Sequence, residues 1–382
     1  MTSYLDRRAM MKLTGVAAAG ALAGCLFEPD ESNEAAGDES AGDDESVDAD
    51  TGPLTDHPYT ASPPMIDLSE RGYESTLRTV SARHELVTDA AAGGPIELPE
   101  VWAWQADDLQ PSVPGPIFRM EAGSEFELTY ENNHDRPHTV HVHAVGKTWA
   151  DDGAPVTNRE FVGPDEHHTY VLHGDVPGTH VYHCHYQTHN HLDMGMYGIL
   201  RVDPEGYEPA DSEYFFTMRD WDTDLHYREA GADVEYDPVD RSSNVYTING
   251  RSAPTTFHPE LGTPLIVSEG DTVRLHVANN GYESHPFHTH GHRFRIVEKD
   301  GSPVPDAAQY EQDVVNVGPA ERYTLEFEAD ADPGIYPAHC HKVHHVTNEG
   351  RYPGGMATAI VYEEAMDTPE FEEIMADAGF DG

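Results

Sequence analysis

Two copies of one pattern decide the fold: residues 120–130 read MEAGSEFELTY, and residues 267–277 read VSEGDTVRLHV. In each copy a glycine, Gly123 or Gly270, precedes a segment in which apolar residues alternate with polar ones. Such alternation is typical of a half-buried β-strand. Because the pattern occurs twice in one chain, it predicts two related domains, and we expect each of them to be a β-sandwich.

The rest of the chain supports an all-β organisation. Its 382 residues include 33 glycines and 28 prolines, which interrupt helical runs, and apolar alternation returns at residues 170–172 and 323–327. We predict a first sandwich over residues 75–205, a second over residues 210–365, and a C-terminal tail over residues 366–382. Within that tail, residues 368–380 are compatible with a short helix.

The N-terminus resembles an export signal. Arg7 and Arg8 match a twin-arginine motif, and a short apolar run over residues 13–22 leads to Cys25 in a lipobox-like sequence. We therefore predict a signal over residues 1–25, twin-arginine export, and lipid attachment at Cys25 on the extracellular face of the cell membrane. An ordinary cleaved signal, in which Cys25 is incidental, is the alternative. Residues 26–74 are acidic and poor in apolar groups, so we expect a disordered tether.

The charge of the chain excludes one class of partner. Asp and Glu number 70 against 22 Lys and Arg, and the formal net charge is −48. A surface of this sign repels nucleic acid. A halophilic environment, in which salt screens the repulsion, is the simplest explanation of the charge.

The cysteines point to metal binding. Apart from Cys25, the chain contains only Cys184 and Cys340, and each lies between two histidines. A disulfide between them is compatible with an exported protein. Histidine on both sides of both cysteines is improbable by chance in a chain with 25 histidines, so we favour metal ligation.

Strand geometry divides these ligands into two groups. Side chains alternate faces along a strand, so Cys184 points one way while His183 and His185 point the other. The sequence around Cys340 repeats this arrangement, and the i, i+2 histidine pairs of the two repeats each share a face. The outward group therefore comprises His141, His143, His183, His185, His288, His290, His339 and His341.

The inward group surrounds the two sulfurs. His138 and His285 lie three residues before the histidine pairs and fall on the opposite face, beside the cysteines. A blue-copper site has two imidazoles, one thiolate and a distant methionine. We predict that His191 and Met196 complete the Cys184 site and that His345 and Met356 complete the Cys340 site. The alternatives are His189 for His191, Met194 for Met196 and His344 for His345. The thirteen remaining histidines lack paired spacing and are treated as background.

These motifs resemble those of the multicopper oxidases. Residues 285–292 read HPFHTHGH and match the family pattern HxxHxHG, and residues 339–345 read HCHKVHH and match HCHxxxH. The resemblance is to the two-domain, laccase-like branch, and it implies two cupredoxin-like Greek-key β-sandwich domains. Ala144 departs from the pattern because it stands where the first motif usually has glycine. Two extra residues between Cys184 and His191, and an insert before Met356, are further departures.

The resemblance also implies roles. It places type 1 copper at each cysteine, type 2 copper at His141 and His288, and a binuclear type 3 pair at the other six outward histidines. Asp152 resembles the acidic residue that assists proton transfer to bound oxygen. In this branch the three-copper cluster forms between domains of neighbouring subunits, which implies a homotrimer.

The implied reaction is the oxidation of one-electron donors coupled to the four-electron reduction of dioxygen to water. Phenols and aromatic amines are the expected donors, with metal ions as the alternative. A copper nitrite reductase would need an unligated residue after the first cysteine, where this chain has His185. A non-catalytic copper carrier would not need eight outward histidines.

Overall fold

The alternating segments form strands whose apolar side chains face inward. In the computed structural model, which describes residues 63–380, Phe126 and Leu128 are each 1% exposed, and Val273 and Leu275 are 0% exposed. The polar residues between them face outward. The alternation thus gives each half of the chain a two-sheet sandwich with a buried apolar interior.

The first half has two sheets, with strand orders β3-β2-β5-β7 and β1-β4-β9-β8-β6. Its strands are β1 (Met65–Asp67), β2 (Glu74–Val87), β3 (Ile96–Ala106), β4 (Ile117–Glu121), β5 (Glu125–Glu131), β6 (His141–Val142), β7 (His167–His173), β8 (Gly178–His183) and β9 (Tyr197–Asp203).

The second half has sheets ordered β11-β10-β13-β18-β15-β16 and β12-β20-β19-β14-β17. Its strands are β10 (Ser212–Trp221), β11 (Val245–Ile248), β12 (Leu265–Val267), β13 (Thr272–Asn279), β14 (His285–Thr289), β15 (Arg295–Lys299), β16 (Ser302–Pro303), β17 (Val314–Val317), β18 (Arg322–Glu328), β19 (Ile335–Cys340) and β20 (Ala357–Tyr362).

Strand pairing repeats between the halves. The parallel pair β2 and β5 corresponds to β10 and β13, and the parallel pair β4 and β9 corresponds to β12 and β20. The antiparallel pairs β6 and β8, and β8 and β9, correspond to β14 and β19, and β19 and β20. The predicted internal repeat is therefore confirmed as two cupredoxin-like Greek-key sandwiches.

Helices are short. They are α1 (Pro155–Asn158), α2 (Thr188–His191), α3 (Thr223–Glu229), α4 (Glu363–Met366) and α5 (Pro369–Asp377), so the predicted C-terminal helix is confirmed. Between residues 63 and 380, no helix has the length and apolarity needed to cross a membrane.

The structure differs from the predicted tether at its C-terminal end. Residues 65–67 form β1, which pairs in parallel with β4, and Ile66 and Leu68 are 1% and 0% exposed. These two apolar side chains follow an acidic segment, and their burial in the first core explains why the first sandwich includes residues before residue 75. The predicted signal and most of the tether lie outside the described residues.

The two sandwiches pack on each other through apolar and charged contacts. Ile117, Val181 and Ile199 of the first half form a buried cluster with Phe215 and Ala278 of the second. The guanidinium of the fully buried Arg201 also pairs with Glu298 across this contact at 2.7 Å.

Candidate metal centres

The first cysteine lies in a set of buried side chains, which we call sulfur site 1: His138, Cys184, His191 and Met196. Cys184 directly follows β8, and His191 is the last residue of α2. The Cys184 Sγ lies 3.4 Å from His191 Nδ1 and 3.8 Å from His138 Nδ1. The ligand atoms of these three residues all fall within 4.8 Å of one another.

The second cysteine has equivalent surroundings, which we call sulfur site 2: His285, Cys340, His345 and Met356. Cys340 ends β19, and its Sγ lies 3.5 Å from His345 Nδ1. The ligand atoms of His285, Cys340 and His345 again fall within 4.8 Å. Both thiols are free and buried, so a disulfide between them is absent from the described structure.

Backbone hydrogen bonds fix the methionines beside the sulfurs. The N–H of Cys184 donates to the carbonyl of Met196 at 3.1 Å, and the N–H of Cys340 donates to that of Met356 at 2.9 Å. Both methionines are 0% exposed, and so is Met194. Burial therefore leaves the choice between Met194 and Met196 open.

The histidine alternatives differ in exposure. His191 is 2% exposed and His345 is 0% exposed, whereas His189 and His344 are exposed. Only the buried member of each pair has a nitrogen directed at the cysteine sulfur. The geometry thus favours the predicted His191 and His345.

Burial holds His138, His191, His345 and the two cysteine thiols uncharged. Desolvation lowers the pKa of His138 to about 2 and that of His191 and His345 to about 3. It raises the pKa of both cysteine thiols to about 12. Neutral imidazoles are ready to bind a cation, and each thiol must lose its proton to do so.

The outward histidines form two groups. Histidine face 1 comprises His141, His143, His183 and His185, and histidine face 2 comprises His288, His290, His339 and His341. On face 1, His143 Nε2 lies 3.1 Å from His183 Nε2, and the ring centroid of His185 lies 5.2 Å from that of His141. Face 2 repeats this geometry. The Nε2 atoms of His290 and His339 lie 3.2 Å apart, and the ring centroids of His288 and His341 lie 5.3 Å apart.

The distances between facing nitrogens fit a metal ion. His138 and His191, and likewise His285 and His345, place their Nδ1 atoms 3.0 Å apart. Two imidazole nitrogens about 2.0 Å from one ion, at an angle of roughly 100°, would lie about 3.1 Å apart. In addition, the buried Nδ1 of His185 has no hydrogen-bond partner. The donor sets therefore suit nitrogen- and sulfur-binding metals.

Each cysteine also orients the histidine before it. His183 Nδ1 donates to the carbonyl of Cys184 at 3.0 Å, and His339 Nδ1 donates to that of Cys340 at 3.0 Å. This bond fixes the ring tautomer and leaves Nε2 free as a ligand. One residue therefore supports both a sulfur site and a histidine face.

Two further residues touch the sulfur sites, and sequence reasoning missed both. His138 Nε2 lies 2.8 Å from His134 Nδ1, and His285 Nε2 lies 3.2 Å from Asp220 Oδ1. His134 was placed among the background histidines because it has no paired spacing. Asp220 lies 65 residues from His285, so no local pattern could have indicated it.

Asp152 lies next to face 1. Its backbone carbonyl accepts a hydrogen bond from His141 Nδ1 at 2.6 Å, and its carboxylate lies 3.5 Å from the same nitrogen and 3.6 Å from Lys147 Nζ. Asp313 holds His288 on face 2 through its carbonyl at 2.7 Å. The proton-transfer role predicted for Asp152 stays a prediction.

Comparison with known proteins gives matches to both halves. Family models described as multicopper oxidase match residues 105–206 and 233–361, which together are more than half of the chain. A crystal structure of a blue copper oxidase from Nitrosomonas europaea has a TM-score of 0.67 and 29% identity, covering 77% of this chain and 87% of that one.

Curated relatives include nitrite reductases. A copper-containing nitrite reductase of Neisseria meningitidis is 27% identical over 308 residues, which are 78% of this chain and 74% of that protein. A probable nitrite reductase-hydroxylamine oxidoreductase fusion protein of Kuenenia stuttgartiensis is 25% identical over 257 residues, which are 65% of this chain and 28% of that protein. This chain thus spans only about a quarter of the fusion protein. With both sandwiches matched by models of one family, and with the sulfur sites and histidine faces in the matched segments, the chain belongs to the multicopper oxidase family.

Proposed function

We propose that the protein is a copper oxidase that takes single electrons from a phenolic, aromatic or metal-ion donor and passes four electrons and four protons to dioxygen, forming two waters. The observation that carries this proposal is the direct covalent link between each buried cysteine and two histidines of an outward face. When bound, copper supplies the one-electron redox chemistry. The chain supplies the ligands and the short connection between the sites.

Sulfur sites 1 and 2 are the proposed type 1 sites. Each offers two imidazoles and one thiol in an apolar interior, with a buried methionine whose backbone carbonyl accepts a hydrogen bond from the cysteine N–H. Such a set suits a blue-copper site better than a structural zinc site, which uses four strong ligands. Burial also keeps water away from the sulfur.

Faces 1 and 2 are the proposed halves of a three-copper cluster, with type 2 copper at His141 and His288 and type 3 copper at the remaining six. In the described residues, no set of converging ligand atoms combines histidines from both faces. We therefore propose that face 1 of one chain meets face 2 of another, and that three chains close a ring. Sedimentation should give a particle of three chains, and a single-chain particle that consumes dioxygen would contradict this arrangement.

Asp152 is the proposed acid near the cluster. Its carboxylate lies beside His141 and Lys147, at the edge of face 1. From this position it can hold a proton close to the histidine ligands without being one of them.

Nitrite reduction is the rival function, because curated relatives carry that name. His185 argues against it, since this ring lies within face 1 after the first cysteine, where a nitrite reductase would need an unligated residue. A copper carrier would leave both faces without a role.

Purified, copper-loaded protein tests the three functions together. We expect an absorbance band at about 600 nm from thiolate-to-copper charge transfer and uptake of dioxygen with a phenol or Fe²⁺ as donor. A donor panel would also identify the substrate class. Nitrite consumption without dioxygen uptake would support a reductase, neither activity would support a carrier, and a colourless protein would contradict the type 1 sites.

We also propose that the protein works outside the cell, exported through the twin-arginine route and anchored by a lipid on Cys25. The support is the sequence of residues 1–25 alone. The variant Cys25→Ala should move the protein from the membrane fraction to the medium. Mass spectrometry should find the lipid on the protein with Cys25 and not on the variant. Equal fractionation of both proteins would contradict the anchor.

A further inference from the structure

The two sulfur sites differ in the group that accepts a hydrogen bond from one of their histidines. At sulfur site 1, His138 directs Nδ1 toward His191 and Nε2 toward His134, whose side chain is 10% exposed. At sulfur site 2, His285 directs Nδ1 toward His345 and Nε2 toward Asp220, whose side chain is 1% exposed. The acceptor is thus a second imidazole at site 1 and a buried carboxylate at site 2.

Asp220 is held firmly in place. Its Oδ1 accepts hydrogen bonds from the backbone N–H groups of Tyr282 at 2.8 Å and Glu283 at 3.0 Å, and its Oδ2 accepts one from Ser243 Oγ at 3.0 Å. Among the described residues, His285 is the one cationic or potentially cationic side chain within 4.0 Å of this carboxylate. The donors orient the carboxylate without removing its charge.

The neighbouring arginine is engaged elsewhere. Arg219 precedes Asp220 on β10, but successive side chains of a strand point to opposite faces. Its guanidinium bonds to Asp193, in the loop between His191 and Met196, and to the backbone carbonyl of Asn280. Arg219 therefore supports the site 1 loop and makes no ion pair with Asp220.

Sulfur site 1 has an uncharged acceptor, and its nearby cation, Arg136, is paired with Glu229 at 2.9 Å. Arg136 lies over the ring of Trp102 at 5.1 Å, and that ring packs edge-on against both His138 and His191, at 5.6 and 4.8 Å. At site 2 the corresponding aromatic contact is Tyr246, which stacks on His345 at 4.0 Å. At the edge of site 2, Lys342 pairs with Glu283, so the carboxylate of Asp220 at His285 is the charge that distinguishes the two sites.

A carboxylate that accepts a hydrogen bond from the N–H of a ligating imidazole makes the other ring nitrogen more basic. A more basic ligand and a nearby negative charge both favour Cu²⁺ over Cu⁺, whereas a neutral acceptor has neither effect. Hydrogen bonding around a blue site is an established way to tune its reduction potential.

We propose that the two sulfur sites are electronically unequal, and that Asp220 is a positioning residue that acts through His285 to make site 2 the lower-potential site. The inference rests on the proposed function, because it requires copper at both sites. It implies two classes of electron donor. Weak reductants would reduce only the copper at the Cys184 site, and strong reductants would reduce the copper at both sites. Each would deliver electrons to a histidine face through its own cysteine.

Single-site variants test this directly. Cys340→Ser leaves only site 1 and Cys184→Ser leaves only site 2, and the blue absorbance of each is titrated against redox buffers of known potential. At equal solution potential we expect the ratio of Cu²⁺ to Cu⁺ to be at least about tenfold higher at site 2, which equals about 59 mV for a one-electron couple.

The role of Asp220 is tested in the Cys184→Ser background. Asp220→Asn keeps the shape and removes the charge, and it should lower the Cu²⁺ to Cu⁺ ratio by about tenfold, toward that of site 1. Asp220→Glu should restore most of the difference. The control Ser243→Ala removes one hydrogen bond to the carboxylate but keeps its charge, so it should change the ratio much less.

Equal potentials in the two single-site variants would overturn the inference while leaving the oxidase function intact. An unchanged potential in a blue Asp220→Asn variant would overturn the role of Asp220. If Asp220→Asn does not bind copper, the comparison of the two single-site variants still decides whether the sites are unequal. Absence of a blue band from both single-site variants would overturn the proposed function and this inference together.

Discussion

Histidine faces 1 and 2 are built from the same positions of two repeated sandwiches, yet they differ in exposure. His141, His143 and His183 on face 1 are half-buried or buried, whereas His290 and His341 on face 2 are exposed. A backbone carbonyl holds the first histidine of each face, from Asp152 on face 1 and from Asp313 on face 2, so the difference in exposure lies in the other histidines. Exposed imidazoles gain little stability from converging unless they bind a further ligand. The greater exposure of face 2 therefore supports the proposal that another chain completes it.

The largest expected effect comes from removing one histidine from each face. His143→Ala and His290→Ala should each reduce dioxygen uptake by at least about 1,000-fold, since ligands that act as one unit fail together. The blue absorbance should persist, because neither residue belongs to a sulfur site. Oxygen-electrode assays with parallel spectra would check both statements.

Mixing the two variants sharpens the comparison. In three-chain assemblies formed at random from equal parts, a complete cluster needs an intact face 1 and an intact face 2 from neighbouring chains, each with a chance of one half. About one quarter of the activity should therefore return after mixed reassembly. Failure to recover any activity would argue that each cluster lies within one chain.

The thiols of the two sulfur sites should behave alike in their response to pH. At both, the thiol pKa is raised to about 12 by burial, whereas burial keeps the pKa of His138, His191 and His345 at about 3 or below. Copper binding should therefore release one thiol proton per site, and affinity should rise about tenfold per pH unit between about pH 6 and about pH 8. Competition titrations on the two single-cysteine variants would measure the slope, and a flat profile would refute the protonated thiol.

The same pKa shifts set the pH range in which the copper-free protein is most stable. A histidine whose pKa falls on folding stabilises the fold above its unfolded pKa of about 6.5, and this contribution is lost as pH falls below that value. A cysteine whose pKa rises on folding stabilises the fold below its unfolded pKa of about 8.5 to 9, and this contribution is lost as pH rises toward 12. Thermal melts of apo-protein should give the highest midpoint between about pH 6.5 and about pH 8.5, and a midpoint that keeps rising above pH 9 would contradict this.

Local periodicity was sufficient to predict two β-sandwiches and the grouping of ten histidines and two cysteines, whereas His191 and His345 were predicted as the ligands that complete a blue-copper set. Alternation along a strand is a short-range property, so residues 183–185 already contain the geometry that separates Cys184 from its neighbours. His134 and Asp220 act through side chains that become neighbours only after the sandwiches form. The burial of Ile66 and Leu68 was not predicted for a similar reason. Two apolar residues in an acidic segment form no periodic pattern, and their role becomes visible only when they pack into the folded core.

The smallest expected effect concerns equivalent positions after the two histidine pairs. Ala144 has φ of +65° and Gly291 has φ of +70°, so both adopt the left-handed conformation that favours glycine. Ala144→Gly should relieve about 1–2 kcal/mol of strain and cost roughly 0.5–1 kcal/mol of chain entropy, giving a net stabilisation of about 0.5–1 kcal/mol.

The reciprocal change should have the opposite sign. A Cβ at Gly291 would lie 2.4 Å from Cδ1 of Tyr336, so Gly291→Ala adds a clash to the backbone strain and should destabilise the fold by about 2 kcal/mol or more. Denaturant unfolding of both variants measures the two effects on one scale. A destabilised Ala144→Gly would mean that the side chain of Ala144 makes a contact worth more than its strain, and the two repeats would then differ in packing as well as in residue type at this turn.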